Sequence, residues 1–223
     1  MIQEATEILS RNSDLSSGLM QAVMEEIMTG EAATSEIVSF LTALNHRGET
    51  VDEITAAVKV MRRHATKVEV IRDVILDTCG TGGDRKGTFN VSTAVAFVAC
   101  GCGVCVAKHG NRSVSSRCGS ADILEALGIN INMNKEQAQM CLNEVGIGFL
   151  FAPDFHPAMK YAMPARKLMA TKTIFNILGP LTNPAGATHQ LVGVYDPKWT
   201  EILARVLGNL GTKHALVVHG REG

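Results

Sequence analysis

Apolar residues in the first seventy or so positions recur with the spacing of amphipathic helices, and strand signals are absent there. Gly30 and Gly48 each follow a periodic apolar segment, so they predict helix C-termini. Thr50-Val-Asp-Glu53 has the pattern of a capping box and predicts the start of a helix that contains Ile54 to His64. The N-terminal part of the chain is therefore predicted to be helical.

From Val70 the pattern changes to short β-rich apolar runs that alternate with helical segments. Helices are predicted for Ser120 to Leu127 and for Asn134 to Val145, and Asp196-Pro197 has the cap and first-turn proline that begin another. The alternation predicts an α/β fold with a mainly parallel sheet. The predicted strands are Val74 to Leu76, Val104 to Ala107, Leu191 to Tyr195 and Ala215 to His219.

A glycine-rich segment, Asp77-Thr-Cys-Gly-Thr-Gly-Gly-Asp84, follows the first predicted strand and leads to Asn90-Val-Ser-Thr93 at a predicted helix start. Gly80, Gly82 and Gly83 allow backbone N–H groups to converge on one point, and a helix start adds further donors, which suits phosphate. The segment has neither the ending of a Walker loop nor the spacing of a Rossmann turn. Such loops also serve as plain connections, so by itself this one leaves both interpretations open.

Two further features strengthen the phosphate interpretation. The carboxylate of Asp84 closes the glycine-rich segment, which makes sense beside a phosphate if a magnesium ion or a sugar hydroxyl lies between them. Lys108-His-Gly-Asn-Arg112 also follows a predicted strand, and ligands of open α/β sheets bind at the carboxyl ends of the strands.

Composition narrows the class of protein. The chain has 223 residues, 46% hydrophobic and 4% aromatic, which suits an aliphatic α/β protein with one large and one small unit. Lys and Arg number 21 against 22 acidic residues, so the net charge of −1 gives no overall field for nucleic acid or an anionic membrane. No apolar run approaches a membrane span and the N-terminus has no signal-peptide pattern, which predicts a cytoplasmic protein.

Cys100, Cys102 and Cys105 lie close together in the sequence and could suggest a metal site. We interpret them instead as small buried, reduced thiols. They fall at a helix end, in a glycine turn and in a strand, and no second ligand pair with zinc spacing is present in the sequence.

Five motifs together resemble the anthranilate phosphoribosyltransferase family of tryptophan biosynthesis, in its order and spacing over the whole chain. The last two distinguish this family from the similar pyrimidine nucleoside phosphorylases. The motifs are Asp77-Thr-Cys-Gly-Thr-Gly-Gly-Asp84, Asn90-Val-Ser-Thr93, Lys108-His-Gly-Asn-Arg112, Gly119-Ser-Ala-Asp-Ile-Leu-Glu-Ala-Leu-Gly128 and Phe175-Asn-Ile-Leu-Gly-Pro-Leu-Thr-Asn-Pro184.

The resemblance implies a helical domain over residues 1–70, onto which a segment of about 156–178 packs, and an α/β domain over 71–223 of the nucleoside phosphorylase and phosphoribosyltransferase type. It implies magnesium-dependent transfer of phosphoribosyl from 5-phosphoribosyl 1-pyrophosphate to anthranilate, and a homodimer formed through the helical domain. The alternatives are a pyrimidine nucleoside phosphorylase and a non-catalytic nucleic-acid-binding relative, against which the near-neutral charge argues.

The family's donor site maps onto both loops and the helix starts that follow them, with Ser92 also a magnesium ligand and Lys108 a point charge beside the leaving diphosphate. Plain helix capping is the alternative role for Ser92 and Thr93. Thr81 and Gly82 belong to the same loop. The donor-binding residues are Gly80, Gly83, Asp84, Thr88, Asn90, Val91, Ser92, Thr93, Lys108, His109, Gly110, Asn111, Arg112, Ser113, Val114, Ser115, Ser116 and Ser120.

The anthranilate site maps onto Gly80, His109, Asn111 and Arg166, with the arginine fork suited to the substrate carboxylate and His109 binding without transferring a proton. No serine or cysteine nucleophile is needed. The chain departs from the family at Ala170-Thr-Lys-Thr173, where the family commonly has Gly-x-Arg-Thr, so Lys172 is given no role.

The family also has an acidic Asp-Glu pair for magnesium, which the resemblance places beyond Gly223. The sequence therefore predicts either a fragment or a chain whose C-terminal portion is missing from the sequence given. We expect weak or absent catalysis from these 223 residues alone.

Overall fold

The computed structural model describes residues 1–83, 89–113 and 118–220. The chain divides into two compact units. The helical unit consists of Met1–Ala65 and His156–Thr182, and the α/β unit consists of Thr66–Phe155 and Asn183–Gly223.

In chain order, the helices are α1 (Ile2–Ser10), α2 (Ser17–Thr29), α3 (Thr34–Arg47), α4 (Val51–His64), α5 (Val91–Gly101), α6 (Ser120–Ala126), α7 (Lys135–Met140), α8 (Ala152–Phe155), α9 (Met159–Met169), α10 (Phe175–Leu178) and α11 (Lys198–Asn209). The strands are β1 (Ile75–Gly80), β2 (Cys105–Gly110), β3 (Ile147–Phe151), β4 (His189–Gly193) and β5 (His214–Val218). A π-helical turn, Cys141–Val145, continues α7, and a 3-10 turn, Gly179–Leu181, follows α10.

The predicted boundaries of the N-terminal helices are confirmed. Thr50 caps α4, its hydroxyl accepting from the Glu53 N–H at 3.3 Å while the Glu53 carboxylate accepts from the Thr50 N–H at 2.9 Å. Gly30 ends α2 in the left-handed conformation at φ +82°. The largest fully buried side chains of these helices are Met20, Met24, Ile27, Ile37, Phe40, Leu41, Leu44 and Ile54.

Glu53 has a second role that its capping pattern does not reveal. The side chain is fully buried, and in addition to the Thr50 N–H it accepts from the Leu15 N–H at 2.8 Å. It also forms an ion pair with Arg47, whose side chain is only 7% exposed. One carboxylate therefore joins the segment before α2, the end of α3 and the start of α4.

The segment His156–Thr182 returns the chain to the helical unit. Its helix α9 contacts α2 and α3, and Arg62 of α4 donates to the Leu181 carbonyl at 2.8 Å. A Cβ at Gly30 would lie 2.6 Å from the Tyr161 ring, so the glycine at the end of α2 also permits close packing of α9. The boundary between the units lies at Ala65 and not at residue 70, since the Thr66 and Val68 N–H groups bond to carbonyls of the α/β unit.

Ala170 ends α9 with φ +50°, a left-handed conformation that costs a residue with a Cβ atom about 1–2 kcal/mol. This is the position at which the motif departs from Gly-x-Arg-Thr, so the conformation explains why glycine suits it. We expect Ala170→Gly to raise the free energy of unfolding by up to about 1 kcal/mol, measured in urea. Ala43→Gly, within α3, should lower it by about the same amount, and a loss of stability in both variants would contradict the argument.

The α/β unit contains a parallel sheet with strand order β3-β2-β1-β4-β5, which confirms the predicted fold class. The strand β3 was not among the predicted strands. Its run is short and contains Gly148, where a Cβ would lie 3.0 Å from Leu142 Cγ, so the glycine lets the π-helical turn pack on the strand. No helix in the described part of the chain has the length and apolar character to cross a membrane.

The prediction of three buried thiols is correct for only one of them. Cys105 is buried in β2, but Cys100 is half-buried in α5 and Cys102 is exposed in the turn that follows. The error arises because the glycines on both sides of Cys102 place it in a surface turn, where hydrophobicity does not decide burial.

Candidate functional site

Two loops leave neighbouring parallel strands at the carboxyl edge of the sheet. The first follows β1 and leads to α5, and the second follows β2 and leads to α6. Side chains of the two helix starts meet, with Thr93 Oγ1 3.0 Å from Ser120 Oγ and Asn90 Nδ2 3.5 Å from the same oxygen. The residues at the starts of α5 and α6 that were predicted to bind the donor, Asn90, Thr93 and Ser120, therefore lie together. Asp84, Thr88, Val114, Ser115 and Ser116 lie outside the described residues.

Asn90 is the N-cap of α5. Its side-chain oxygen accepts from the Thr93 N–H at 3.0 Å and from the Ser92 hydroxyl at 3.1 Å. The alternative in which Ser92 and Thr93 act as plain caps is therefore wrong. Their hydroxyl groups are in the first turn of the helix, at the end where unpaired N–H groups and the helix dipole favour an anion.

Lys108 lies under this first turn. Only 3% exposed, it donates to the Thr78 carbonyl at 2.6 Å and to Ser92 Oγ at 3.1 Å. Burial lowers the pKa of its ammonium group. The ammonium thus holds the end of β1 against the start of α5, and its predicted contact with a departing diphosphate stays a prediction.

Asp77 was not predicted as a site residue, although it stands at the start of the glycine-rich segment. It is fully buried, and its Oδ1 accepts from the His109 N–H at 3.1 Å. Burial raises the pKa of this carboxyl to about 6, against the opposing effects of Asn183, Lys108 and the His109 N–H. A charged residue immediately after a strand's apolar run was the signal in the sequence.

Arg112 and Asp122 organise the second loop. Arg112 pairs with Glu125, at 2.7 Å, and with Asp122, and Glu125 raises the pKa of the guanidinium above its usual value. The Asp122 carboxylate accepts from the Ser113 N–H at 3.1 Å and the Gly119 N–H at 2.7 Å, bonds that lower its pKa. The side chain of Arg112 was predicted to bind the donor. In this structure it is instead paired with two carboxylates of α6. Asp122 is a loop-organising residue that the sequence analysis missed.

Glycines in the two loops are required for different reasons. Gly82 and Gly83 have φ of +60° and +79°, which favours glycine. Cβ atoms at Gly110 and Gly119 would lie 2.8 Å from the Phe149 ring and 2.3 Å from the Ser113 nitrogen. A Cβ at Gly80 would lie 3.1 Å from the Gly193 carbonyl oxygen. Gly110 and Gly119 therefore leave no room for a side chain, whereas Gly82 and Gly83 are favoured by their backbone conformation.

The residues predicted to bind anthranilate are in different environments. His109 is buried and Asn111 is exposed, with its Oδ1 accepting from the Arg112 N–H at 2.7 Å. Arg166 belongs to α9 of the helical unit, where its guanidinium lies 5.6 Å from the centre of the Phe175 ring. Burial lowers the pKa of Arg166, and among the described residues no carboxylate forms an ion pair with it. The predicted contact of Arg166 with the anthranilate carboxylate stays a prediction.

Two family models match the chain, one for each part. Residues 3–65 match the helical bundle domain of a glycosyl transferase family, and residues 72–223 match its a/b domain. The chain belongs to this glycosyl transferase family. The order of the two matches corresponds to the observed succession of α1–α4 and the sheet-containing unit.

The similar proteins described below share one enzyme name. The chain is similar to the anthranilate phosphoribosyltransferase of Syntrophobacter fumaroxidans, with 55% identity over all 223 residues, which cover 66% of that protein. The crystal structure of the enzyme of that name from Thermus thermophilus has 45% identity and a TM-score of 0.92, matching 98% of this chain and 66% of that one. The predicted resemblance is confirmed.

A third family member was solved with ligands. Anthranilate phosphoribosyltransferase from Saccharomyces cerevisiae, in complex with PRPP and Mg, has 30% identity and a TM-score of 0.92, and the match covers all of this chain and 66% of that one. The chain thus spans slightly under two thirds of the length of these relatives.

Proposed function

We propose that the chain carries substrate-binding parts of an anthranilate phosphoribosyltransferase of tryptophan biosynthesis. The observation that carries the proposal is the convergence of two glycine-containing loops and the first turn of α5 at one sheet edge. The proposed reaction is the one named by the relatives, anthranilate phosphoribosyl transfer. The proposed donor and metal are the PRPP and Mg named in the yeast complex. The reaction gives N-(5-phosphoribosyl)anthranilate and pyrophosphate.

The proposed chemistry is displacement of diphosphate from the anomeric carbon of the donor by the amine of anthranilate. The bond from that carbon to the diphosphate oxygen breaks, the new bond forms to nitrogen, and the amine then loses a proton. Since the leaving group takes negative charge, the main demand on the protein is to stabilise that charge and align the amine. Backbone N–H groups at Gly82, Gly83 and the start of α5 are the proposed donors to the diphosphate.

Magnesium would neutralise part of the diphosphate charge. Within the described residues no three His, Cys, Asp or Glu side chains come together as a metal site, but Ser92 offers a hydroxyl oxygen at the proposed diphosphate position. This suits Mg²⁺, which usually keeps waters and takes few protein ligands beside substrate phosphates. Ser92 and Asp84 are the proposed protein contributors, together with the acidic pair that the family resemblance implies beyond Gly223.

Arg166 is the proposed anchor of the anthranilate carboxylate, because its guanidinium is half-buried and positively charged and has no ion-pair partner among the described residues. Arg166→Ala should raise the KM for anthranilate by on the order of 10–100-fold, the effect of losing a charge-assisted hydrogen bond. The KM for phosphoribosyl pyrophosphate should change little, and Lys167→Ala serves as the exposed control. Equal effects on both KM values would contradict this assignment.

The activity itself is tested by product fluorescence and pyrophosphate release with both substrates and Mg²⁺. Turnover with anthranilate supports the proposal, and calorimetric binding of the donor to the 223-residue chain supports it even without turnover. Phosphorolysis of pyrimidine nucleosides, or salt-dependent DNA binding without donor binding, would replace it with one of the alternative functions.

We also propose a cytoplasmic homodimer formed through the helical unit. The biosynthetic role of the relatives supports the location. Exposed apolar side chains on α9, including Leu168 at 72% exposure, support the interface, since such groups gain free energy when covered. Sedimentation at micromolar concentration measures the state, and a monomer would refute the interface.

A further inference from the structure

Strands β1 and β2 stop pairing with each other before either strand ends. Their register contains Ile75↔Cys105 and Leu76↔Val106 and goes no further. On its other side, β1 stays paired with β4 as far as Gly80↔Gly193, and β2 stays paired with β3 as far as Gly110↔Phe151. The sheet is therefore opened between its two ligand-loop strands, at the carboxyl edge.

Three buried side chains occupy this opening and satisfy main-chain groups there. Asp77 Oδ1 accepts from the His109 N–H at 3.1 Å, and Lys108 Nζ donates to the Thr78 carbonyl at 2.6 Å. Asn183 Nδ2 donates to the Ala107 carbonyl at 2.8 Å. Each strand thus receives a hydrogen bond from a side chain in place of a missing ladder bond, so the His109 N–H and the Thr78 and Ala107 carbonyls all have partners.

Two of these three side chains connect directly to the proposed donor site. The Asp77 carboxylate holds the N–H of His109, and the second loop begins immediately after β2. Through its other contact, with Ser92 Oγ at 3.1 Å, Lys108 holds the first turn of α5. The Asp77 and Lys108 charges also stabilise each other in a place where water does not reach, each opposing the effect of burial on the other.

We propose that Asp77 is a positioning residue which, with Lys108 and Asn183, holds β1 and β2 apart and so sets the spacing of the two loops that bind the phosphoribosyl donor. This inference rests on the proposed function for the identity of the ligand. Asp77 is fully buried, so it acts through the His109 main chain and through Lys108. The alternative is that the three side chains form ordinary buried hydrogen bonds, whose loss would lower the stability of the fold without changing donor binding.

The test compares Asp77→Ala with Asp154→Ala, which removes an exposed carboxylate of the same unit. Hydrogen exchange of individual amides is measured by NMR, and affinity for phosphoribosyl pyrophosphate with Mg²⁺ is measured by calorimetry. In Asp77→Ala we expect the His109 amide, and those of the first turn of α5, to exchange at least about tenfold faster, and the donor to bind about tenfold or more weakly. Asp154→Ala should match the unsubstituted chain in both measurements.

A second variant, Asp77→Asn, distinguishes an effect on the positions of the loops from a general loss of stability. Asp77→Asn keeps an acceptor oxygen for the His109 N–H but loses the negative charge that faces Lys108. Its amide protection and its donor affinity should therefore lie between those of Asp77→Ala and of the unsubstituted chain. Should Asp77→Ala fail to fold, a comparison of Asp77→Asn with the unsubstituted chain decides: weaker donor binding with a global stability within about 1 kcal/mol supports positioning. Unchanged donor affinity in both Asp77 variants, or faster exchange confined to His109, would overturn the inference.

Failure of the proposed function gives a different result. If the unsubstituted chain does not bind phosphoribosyl pyrophosphate, the donor assignment fails, while the exchange pattern of Asp77→Ala still decides whether Asp77 holds the two loops. If the unsubstituted chain binds the donor and Asp77→Ala binds it equally well, only the positioning role fails.

Discussion

Replacing Gly119 with alanine should weaken binding of phosphoribosyl pyrophosphate by on the order of 100-fold, the effect of displacing a binding group by about 1 Å. The new Cβ would lie 2.3 Å from the Ser113 nitrogen and 2.7 Å from the Arg112 carbonyl carbon. Both atoms belong to the backbone of the second loop, so no side-chain rotation can relieve the overlap. The loop must move away from α6, and its bond from the Ser113 N–H to Asp122 must lengthen or break.

Calorimetric titration of the donor in the presence of Mg²⁺ measures this effect. Gly208→Ala is the matched control because Gly208 is in α11 of the same unit and a Cβ there meets no atom within 4 Å. That control should bind the donor normally, and its helix should gain stability of about 1 kcal/mol. Donor affinity within about threefold of the unsubstituted chain for Gly119→Ala would show that the second loop does not form the donor site, since 1 Å displacements of a binding group have large effects.

Glu53→Ala should lower the free energy of unfolding of the helical unit by about 3–5 kcal/mol, as removal of one member of a buried ion pair does. The substitution leaves the Arg47 guanidinium buried without its closest carboxylate, and it removes the acceptor of the Leu15 and Thr50 N–H groups. Unfolding in urea, followed by circular dichroism, measures the change.

Asp52→Ala is the control, since Asp52 is exposed in the same helical turn and its loss should cost under about 1 kcal/mol. Substituting both members of the pair with apolar residues should not restore stability, because two backbone N–H groups would still lack an acceptor. Equal stability of Glu53→Ala and Asp52→Ala would show that the buried carboxylate contributes no more than a surface one.

Much of the fold follows from local patterns in the sequence. The capping box at Thr50 and the stop at Gly30 depend on residues within one turn of each other, and both were predicted correctly. Four strands were located by their β-rich runs, with boundaries shifted by a few residues. The missed strand β3 contains a glycine that is needed for contact with Leu142, a tertiary reason that local patterns do not contain.

The contacts around the two loops were less completely predicted than the fold. Glycine spacing and the order of motifs identified both loops, because close backbone approach needs glycine wherever it occurs. The roles of Asp77 and Asp122 depend on which N–H groups lie opposite their carboxylates, and a sequence does not contain that pairing. Arg112 was assigned to the donor site from the family resemblance, whereas in the structure its guanidinium pairs with two carboxylates of α6.

The helical unit is made from two stretches separated by ninety residues of the other unit, 66 to 155. During synthesis, α1–α4 leave the ribosome well before α9 exists, at a translation speed of about 5–20 residues per second. For several seconds the faces of α2 and α3 that later contact α9 remain open to water and to other nascent chains. We therefore expect this early intermediate, more than the finished molecule, to depend on chaperones.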